Sequence, residues 1–174
     1  MKEVYQGALL ETIVKGVSKA LQKNERKIGS EAPAISLTML NGESKVIGML
    51  ATKVQVMITL PFHNSLSAEL SKVIETYQDQ AFIYTISAQM LDQKTNPACS
   101  STDFVELAKK FGVYVDETLC AKAIFIINKD GQFVYKEITR DVDDAFDLEM
   151  FETKLDEAIH FKKKGHVHEN WMGA

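Results

Sequence analysis

The chain has few cysteines, no strong excess of charge and no long apolar run, and each shortage excludes a class of protein. Its two cysteines, Cys99 and Cys120, cannot form the disulfide scaffold of a small secreted protein. The formal net charge of −4 provides no basic field for nucleic acid. No apolar run approaches membrane-spanning length, and the first residues lack a basic start followed by an apolar stretch. We therefore expect an uncleaved cytoplasmic protein that binds neither nucleic acid nor membrane.

What the chain does contain is the composition of an ordinary globular protein. Of its 174 residues, 45% are hydrophobic and 25% are charged, which is enough apolar chain to build a core. No internal repeat, linker or low-complexity tract divides the sequence. We expect one domain over residues 1–161, followed by a loose C-terminal tail over residues 162–174.

Several segments have the pattern of β-strands. Val54 to Leu60 is an apolar, β-branched run that ends at a proline, which predicts a buried parallel strand. Asn41-Gly42 and Asp130-Gly131 are typical of tight hairpin turns, because such turns require positive backbone dihedral angles. The other predicted strands are Ile35 to Leu40, Ser44 to Ile47, Phe82 to Ser87, Ala123 to Ile127 and Gln132 to Ile138.

Three segments have apolar residues at helical spacing. The first stripe comprises Leu66, Leu70, Val73, Ile74 and Tyr77, with Ser65 or Ser67 available to cap its start. The second comprises Phe104, Leu107, Ala108 and Phe111, and it ends at Gly112 in the usual C-cap position. The third comprises Leu148, Phe151, Leu155 and Ile159. The order of strands and helices predicts an α/β protein with a mixed central sheet and helices on both faces.

The N-terminal region has weaker signals. Val4 to Val14, interrupted by Gly7, predicts a short hairpin or a single edge strand. Val17, Ala20 and Leu21 then suggest a helical turn before a charged stretch.

The run from Val54 through Pro61, Ser65 and Ala68 carries a family resemblance. It is similar to the segment of the thiol peroxidase family of peroxiredoxins in which a strand leads through a proline to a threonine and then to the peroxidatic cysteine. In that comparison Pro61 matches the proline, Ser65 replaces the threonine and Ala68 replaces the cysteine. Downstream, Lys122 in the run Ala121-Lys-Ala-Ile-Phe-Ile-Ile resembles the position of the family's arginine. The resemblance covers residues 28 to 159 and implies a thioredoxin-like, peroxiredoxin-type fold with an N-terminal β-hairpin.

The chemistry of that family explains why these substitutions matter. A cysteine thiolate attacks the peroxide, and a helix N-terminus and a nearby cation keep the thiol ionised. Ala68 supplies no nucleophile. Lys122 replaces the planar guanidinium of arginine, with its several N–H donors, by a single mobile ammonium. This is not a conservative exchange for holding an oxyanion. The family's reaction by the family's route is therefore not expected.

The two cysteines are the remaining candidates for thiol chemistry. The resemblance gives Cys99 the approximate place of the family's resolving cysteine, and the alternative is a small buried hydrophobic residue. Cys120 precedes Lys122 by two positions, so the two side chains would share one face of a sheet if both residues were extended. A thiol beside an ammonium could be activated, and the alternative is again a packed, inert cysteine. Whether the two cysteines can pair stays open.

Two histidine-bearing segments are further candidates for site components. His63 precedes the first helix and is a candidate to line the pocket around Ala68 or to act as a base, and the alternative is a surface loop residue. His160, His166 and His168 near Trp171 match no standard metal site, so we expect no metal and no cofactor.

Two functions of different classes follow. The first is a redoxin-like protein that has lost peroxidase catalysis and keeps a binding or structural role, with a small anion as candidate ligand near Ser65 and Lys122. The second is a thiol-dependent oxidoreductase that uses Cys120 or Cys99 with a thioredoxin-like reductant. The resemblance also implies a homodimer.

Overall fold

The computed structural model of the chain describes residues 11–21 and 25–162. Its strands are β1 (Glu11–Val14), β2 (Val17–Ala20), β3 (Ile35–Thr38), β4 (Ser44–Ile47), β5 (Val54–Leu60), β6 (Ala81–Ser87), β7 (Ser100–Ser101), β8 (Tyr114–Asp116), β9 (Leu119–Cys120), β10 (Ala123–Ile127) and β11 (Phe133–Ile138). Its helices are α1 (Ala68–Tyr77), α2 (Val105–Phe111) and α3 (Leu148–His160). No helix among these residues is long and apolar enough to cross a membrane.

A five-stranded mixed sheet, in the order β11-β10-β5-β6-β7, forms the centre of the fold. β5 runs parallel to β6 and antiparallel to β10, and all seven residues of β5 are buried. A strand covered on both faces must be apolar along its whole length, which is why Val54 to Leu60 could be recognised in the sequence. The predicted buried strand and the mixed sheet are confirmed.

Helices cover both faces of this sheet. On one face, Met57 and Phe125 pack with α2 residues such as Phe111, whose ring centre lies 5.0 Å from that of Phe125. On the other face, Ile58 and Ile124 pack with α1 and α3. Side chains alternate between the two faces along each strand, so β5 and β10 contribute to both clusters. The fold class predicted from the sequence is confirmed.

Two of the predicted hairpins form at the expected turns. Gly42, between β3 and β4, has a φ of 90°, and Gly131, between β10 and β11, has a φ of 84°. At Gly131 a Cβ atom would also lie 2.8 Å from the backbone of Met49 and Leu50. Glycine is therefore needed there for the dihedral angle and for the close contact.

The N-terminal hairpin lies further along the chain than the sequence suggested. β1 and β2 pair around Lys15 and Gly16, whose φ angles of 51° and 80° make the turn. The predicted helical turn at Val17, Ala20 and Leu21 is wrong. Residues 4–10 of the predicted hairpin segment lie outside the described residues.

Long-range hydrogen bonds explain this correction. The amide of Ile13 donates to the carbonyl of Arg140 at 2.9 Å, and the amide of Val142 donates to the carbonyl of Ile13 at 3.0 Å. The buried hydroxyl of Thr12 also donates to the carbonyl of Arg140, at 3.1 Å. These contacts hold β1 extended, and β2 pairs with β1 in register. The weak helical pattern of β2 is therefore overridden by tertiary contacts.

The three predicted helices are present. Gly112 ends α2 in the left-handed conformation, with a φ of 76°. The side chain of Asp147 caps α3 by accepting from the amide of Met150 at 3.1 Å. Most of the predicted tail, residues 163–174, lies outside the described residues, including His166, His168 and Trp171.

Candidate functional site

The loop between β5 and α1 places Ala68 at the start of a helix. The hydroxyl of Ser65 accepts from the amide of Phe62 at 3.0 Å, and the amide of Ser65 donates to the carbonyl of Phe62 at 3.0 Å. Ser67 is the N-cap, because its hydroxyl accepts from the amide of Leu70 at 3.1 Å. Ala68 is therefore the first residue of α1, in agreement with the helical spacing. Pro61 is buried directly after β5.

The amides that begin α1 include two without a protein acceptor. Across the described ranges, the structure gives no hydrogen-bond acceptor to the amides of Ala68 and Glu69. Such orphan amides carry partial positive charge and favour a negative group nearby.

Lys122 lies between β9 and β10, and the residue is largely buried. The residue is 8% exposed, and its Nζ donates to the carbonyl oxygen of Asp144 at 2.6 Å. Nζ also lies 5.0 Å from the centre of the Phe146 ring. Burial lowers the pKa of Lys122, while the nearby carboxylates of Asp143, Asp144 and Glu137 oppose that decrease.

A cavity of about 480 Å³ joins the start of α1 to Lys122. We call it the α1 cavity. Its polar lining comprises Asn64, Ser65, Ser67, Glu69, Lys122 and Asp143. Its apolar lining comprises Leu70, Val142, Ala145, Phe146 and Leu148. The structure thus brings Ser65 and Lys122 to one cavity, although they are far apart in the sequence. Ala68 does not line this cavity, but its neighbours Ser67 and Glu69 do.

Cys120 lies elsewhere, in the core. It is 0% exposed and belongs to the cluster on the α2 face, with Met57 and Phe125. Burial raises the pKa of the Cys120 thiol to about 12. The expectation that Cys120 shares a face with Lys122 is wrong, because Lys122 contacts Phe146, which belongs to the cluster on the opposite face. Residues 121 and 122 belong to no strand, so strict alternation does not extend across them.

Cys99 is partly exposed beside the edge strand β7. It lines a second cavity of about 370 Å³, which we call the Cys99 cavity, together with residues that include Leu66, Phe82 and Lys94. The side-chain Nδ2 of Asn96 donates to the Sγ of Cys99 at 3.8 Å. Both cysteines are free thiols in this structure.

His63 does not line the α1 cavity. Its side chain is 55% exposed, and its Nδ1 lies 2.8 Å from a carboxylate oxygen of Asp92 in the loop after β6. At the end of α3, the Nδ1 of His160 lies 2.9 Å from the carbonyl of Asp156. Within residues 11–21 and 25–162, no group of three or more His, Cys, Asp or Glu side chains is placed to hold a metal ion.

Several solved structures with the same architecture are peroxiredoxins or thiol peroxidases. A peroxiredoxin-like protein from Aquifex aeolicus superposes with a TM-score of 0.70 at 20% identity, covering 87% of this chain and 99% of the other. A thiol peroxidase from Chromobacterium violaceum superposes with a TM-score of 0.66 at 14% identity, covering 87% of this chain and 98% of the other. This chain has the peroxiredoxin fold.

The likeness extends to 2-Cys peroxiredoxins and rests on structure alone. The mitochondrial 2-Cys peroxiredoxin from Plasmodium falciparum superposes with a TM-score of 0.61 at 14% identity, covering 80% of this chain and 98% of the other. The sequence itself matches no protein-family model and no curated protein. At these identities, the peroxiredoxin fold is what the chain shares with these proteins.

Sequence reasoning missed three groups that line the α1 cavity, namely the Glu69 and Asp143 carboxylates and the Phe146 ring. Asp143 and Phe146 lie in the acidic segment 141–147, which follows β11 closely and precedes α3. Four aspartates within seven residues could have drawn attention to that segment. No periodicity in the sequence, however, shows that it returns to the start of α1.

Proposed function

We propose that this peroxiredoxin-fold chain does not reduce peroxides and instead binds a small molecule in the α1 cavity. The observation that supports the proposal most strongly is the residue at position 68. A methyl group occupies the first position of α1, beside the cavity that Lys122 lines. By the resemblance to thiol peroxidases, this is the place of the attacking thiolate, and a methyl group cannot attack a peroxide.

The properties of Cys120 agree with this proposal. A peroxide-reducing thiol must be ionised near neutral pH and must contact the peroxide. Cys120 is fully buried, and burial raises its pKa to about 12. It therefore meets neither requirement.

A binding role is supported by the groups that remain around the cavity. They include the buried ammonium of Lys122, the hydroxyl of Ser65 and the amides at the start of α1. A volume of about 480 Å³ lies in the range of small-molecule sites, roughly 300–1,000 Å³. A ligand with a negatively charged group would satisfy these donors.

The test of lost catalysis is a peroxide-consumption assay. The purified protein, supplied with thioredoxin, its reductase and a nicotinamide reductant, should consume hydrogen peroxide no faster than an equal concentration of a simple thiol. An active thiol peroxidase, assayed in parallel, is the positive control. Consumption at the rate of that control would overturn the proposal.

The second candidate function is a thiol-dependent oxidoreductase that uses Cys99 with a thioredoxin-like reductant. The observation in its favour is that Cys99 is partly exposed and lines a cavity with Lys94. In the same assay it predicts peroxide consumption that Cys99→Ser abolishes and Cys120→Ser leaves intact.

By the same family resemblance we propose a cytoplasmic homodimer. Analytical ultracentrifugation tests the oligomeric state, and cell fractionation tests the localisation.

A further inference from the structure

The α1 cavity contains charges of both signs. Lys122 lies at its buried side, and the exposed carboxylates of Glu69 and Asp143 lie at its rim. Within the part of the chain that the structure describes, neither carboxylate accepts a hydrogen bond or forms an ion pair at contact distance. Both are therefore available to a cationic group on a ligand.

Lys122 is only partly satisfied by the protein. An ammonium has three N–H donors, and the described residues supply one acceptor, the carbonyl oxygen of Asp144. The Phe146 ring provides a favourable face for the cation but no lone pair to accept a hydrogen bond. A side chain that is more than nine-tenths buried thus lines the cavity with two donors unused.

These charges disfavour a ligand with one charge only. A simple carboxylate that reaches Lys122 brings its charge near Asp143, which already interacts with Lys122 through space. A simple amine at the rim carboxylates leaves the donors of Lys122 and of the α1 amides unsatisfied. A molecule that carries both charges satisfies both ends of the cavity.

The remaining lining is apolar. Leu70, Val142, Phe146 and Leu148 form part of the wall, and a small aliphatic group can pack against them. The combination of a buried cation, rim carboxylates and an apolar wall matches the three parts of an aliphatic amino acid.

We propose that the α1 cavity binds a small zwitterion with an aliphatic side chain, of the size and chemistry of a free amino acid. Its carboxylate pairs with Lys122 and the amides that begin α1. Its ammonium pairs with Glu69 and Asp143, and its side chain packs against Leu70 and Phe146. This inference rests on the binding role proposed above and names the chemical class of the ligand.

Three probes of one shape separate the contributions of the two charges. L-Leucine carries both, 4-methylpentanoate lacks the ammonium, and 3-methylbutylamine lacks the carboxylate. Each is titrated into the intact protein while backbone amide chemical shifts are followed by NMR. Leucine should shift amides in segments 64–70 and 142–148, and it should bind at least about fivefold more tightly than either analogue, as expected for one added charge pair.

Charge-neutralising variants at the rim test the role assigned to the ammonium. The double variant Glu69→Gln, Asp143→Asn should have an affinity for leucine about fivefold lower than that of wild type. It should bind 4-methylpentanoate more tightly than wild type does. Glu75→Gln is the matched control, because Glu75 is exposed on the same helix and does not line the α1 cavity. It should leave the affinity for all three probes unchanged.

Lys122→Met tests the other end of the cavity. This substitution should lower the affinity for leucine and the affinity for 4-methylpentanoate, each by about tenfold or more, because it removes the buried partner of the carboxylate. Circular dichroism must show that the variant is folded. If it is not, the rim variant still decides the question, since both of its positions are exposed.

The outcomes distinguish this inference from the proposed function. If 4-methylpentanoate binds wild type as tightly as leucine does, the zwitterion inference is overturned and a simple anion site remains. If none of the three probes shifts amides around α1, both the zwitterion inference and the proposed binding role are overturned. The peroxide assay reports separately on the loss of catalysis, and its result does not depend on these titrations.

Discussion

Cys120 and Lys122 are two positions apart in the chain and lie against opposite faces of the central sheet. Cys120 packs in the cluster that contains Phe125, and the ammonium of Lys122 lies over Phe146 on the other side. The intervening carbonyl, that of Ala121, accepts from the buried hydroxyl of Thr59 at 2.9 Å. The lysine therefore cannot activate this thiol, and the two residues belong to different parts of the molecule.

The two cysteines should differ sharply in reactivity. Alkylation of the native protein with iodoacetamide near neutral pH should modify Cys99 and leave Cys120 unmodified. Cys99 is partly exposed, whereas Cys120 is fully buried and burial raises its pKa to about 12. Mass spectrometry of the digested protein gives the site of each adduct.

Unfolding in guanidinium chloride before alkylation is the control for that experiment. Both cysteines should then be modified, which shows that the reagent reaches each of them once the core is disrupted. Rapid labelling of Cys120 in the native protein would contradict its placement in the core.

Restoring a thiol at position 68 should give an acidic cysteine. In Ala68→Cys the new thiol lies at the first position of α1 and beside the cavity of Lys122, and both the orphan amides and the ammonium favour the thiolate. Its pKa should fall below the ordinary value for a free cysteine. Ultraviolet titration of the thiolate, with the wild-type curve subtracted, measures it.

Thr76→Cys is the matched control for that titration. Thr76 is exposed in the last turn of the same helix, where the dipole has the opposite sign. Its thiol pKa should be higher than that of Ala68→Cys. Equal pKa values at the two positions would show that the start of α1 and Lys122 do not act on residue 68. Full peroxidase activity is not expected from Ala68→Cys, since by the resemblance to thiol peroxidases Lys122 replaces their arginine.

Much of the fold could be predicted because its signals are local. The apolar run of β5, Gly42 in its hairpin turn and Gly112 at the end of α2 each require a particular residue type for a local reason. The strands β8 and β9 were missed because they are three and two residues long, too short to show a period. β2 was misread because its extended form depends on pairing with β1, which is itself held by the contacts of Ile13 with Arg140 and Val142.

The candidate site was predictable only in part, for the same physical reason. The position of Ala68 follows from local helix spacing, and that of Lys122 follows from the strand that it precedes. Asp143 and Phe146 reach the cavity through tertiary packing of the loop before α3. A sequence pattern records a residue's neighbours along the chain, and it does not record that kind of contact.

Removing the cap of α1 should destabilise the protein by a modest amount. Ser67→Ala deletes the hydroxyl that accepts from the amide of Leu70, and the expected loss in the free energy of unfolding is about 1 kcal/mol. Urea denaturation measures this loss. Lys72→Ala, at an exposed position within the same helix, is the control and should change the stability by less than about 0.5 kcal/mol. Equal effects of the two substitutions would argue against Ser67 as the N-cap.

Burial of Cys120 should make the stability fall as the pH rises above 9. The thiol has an ordinary pKa of 9.0, and burial raises it to about 12 in the folded protein. Between these two values the unfolded chain releases the proton and the folded chain keeps it, so the unfolded state binds fewer protons. The free energy of unfolding must then decrease with pH, by at most about 1.4 kcal/mol per pH unit from this group, whereas below pH 8 the group contributes no pH dependence.

Urea denaturation from pH 8 to 11 isolates this contribution in Cys120→Ala. Burial raises the pKa of Tyr84 to about 12, and a hydrogen bond to Glu117 raises the pKa of Tyr114 to about 12. These two tyrosines add a slope of the same sign. That slope is present in wild type and variant alike, so the difference between the two curves belongs to Cys120. Cys99→Ala, which leaves Cys120 in place, is the matched control. We expect Cys120→Ala to lose stability less steeply with rising pH than wild type does, and equal slopes would show that the buried thiol is not linked to folding.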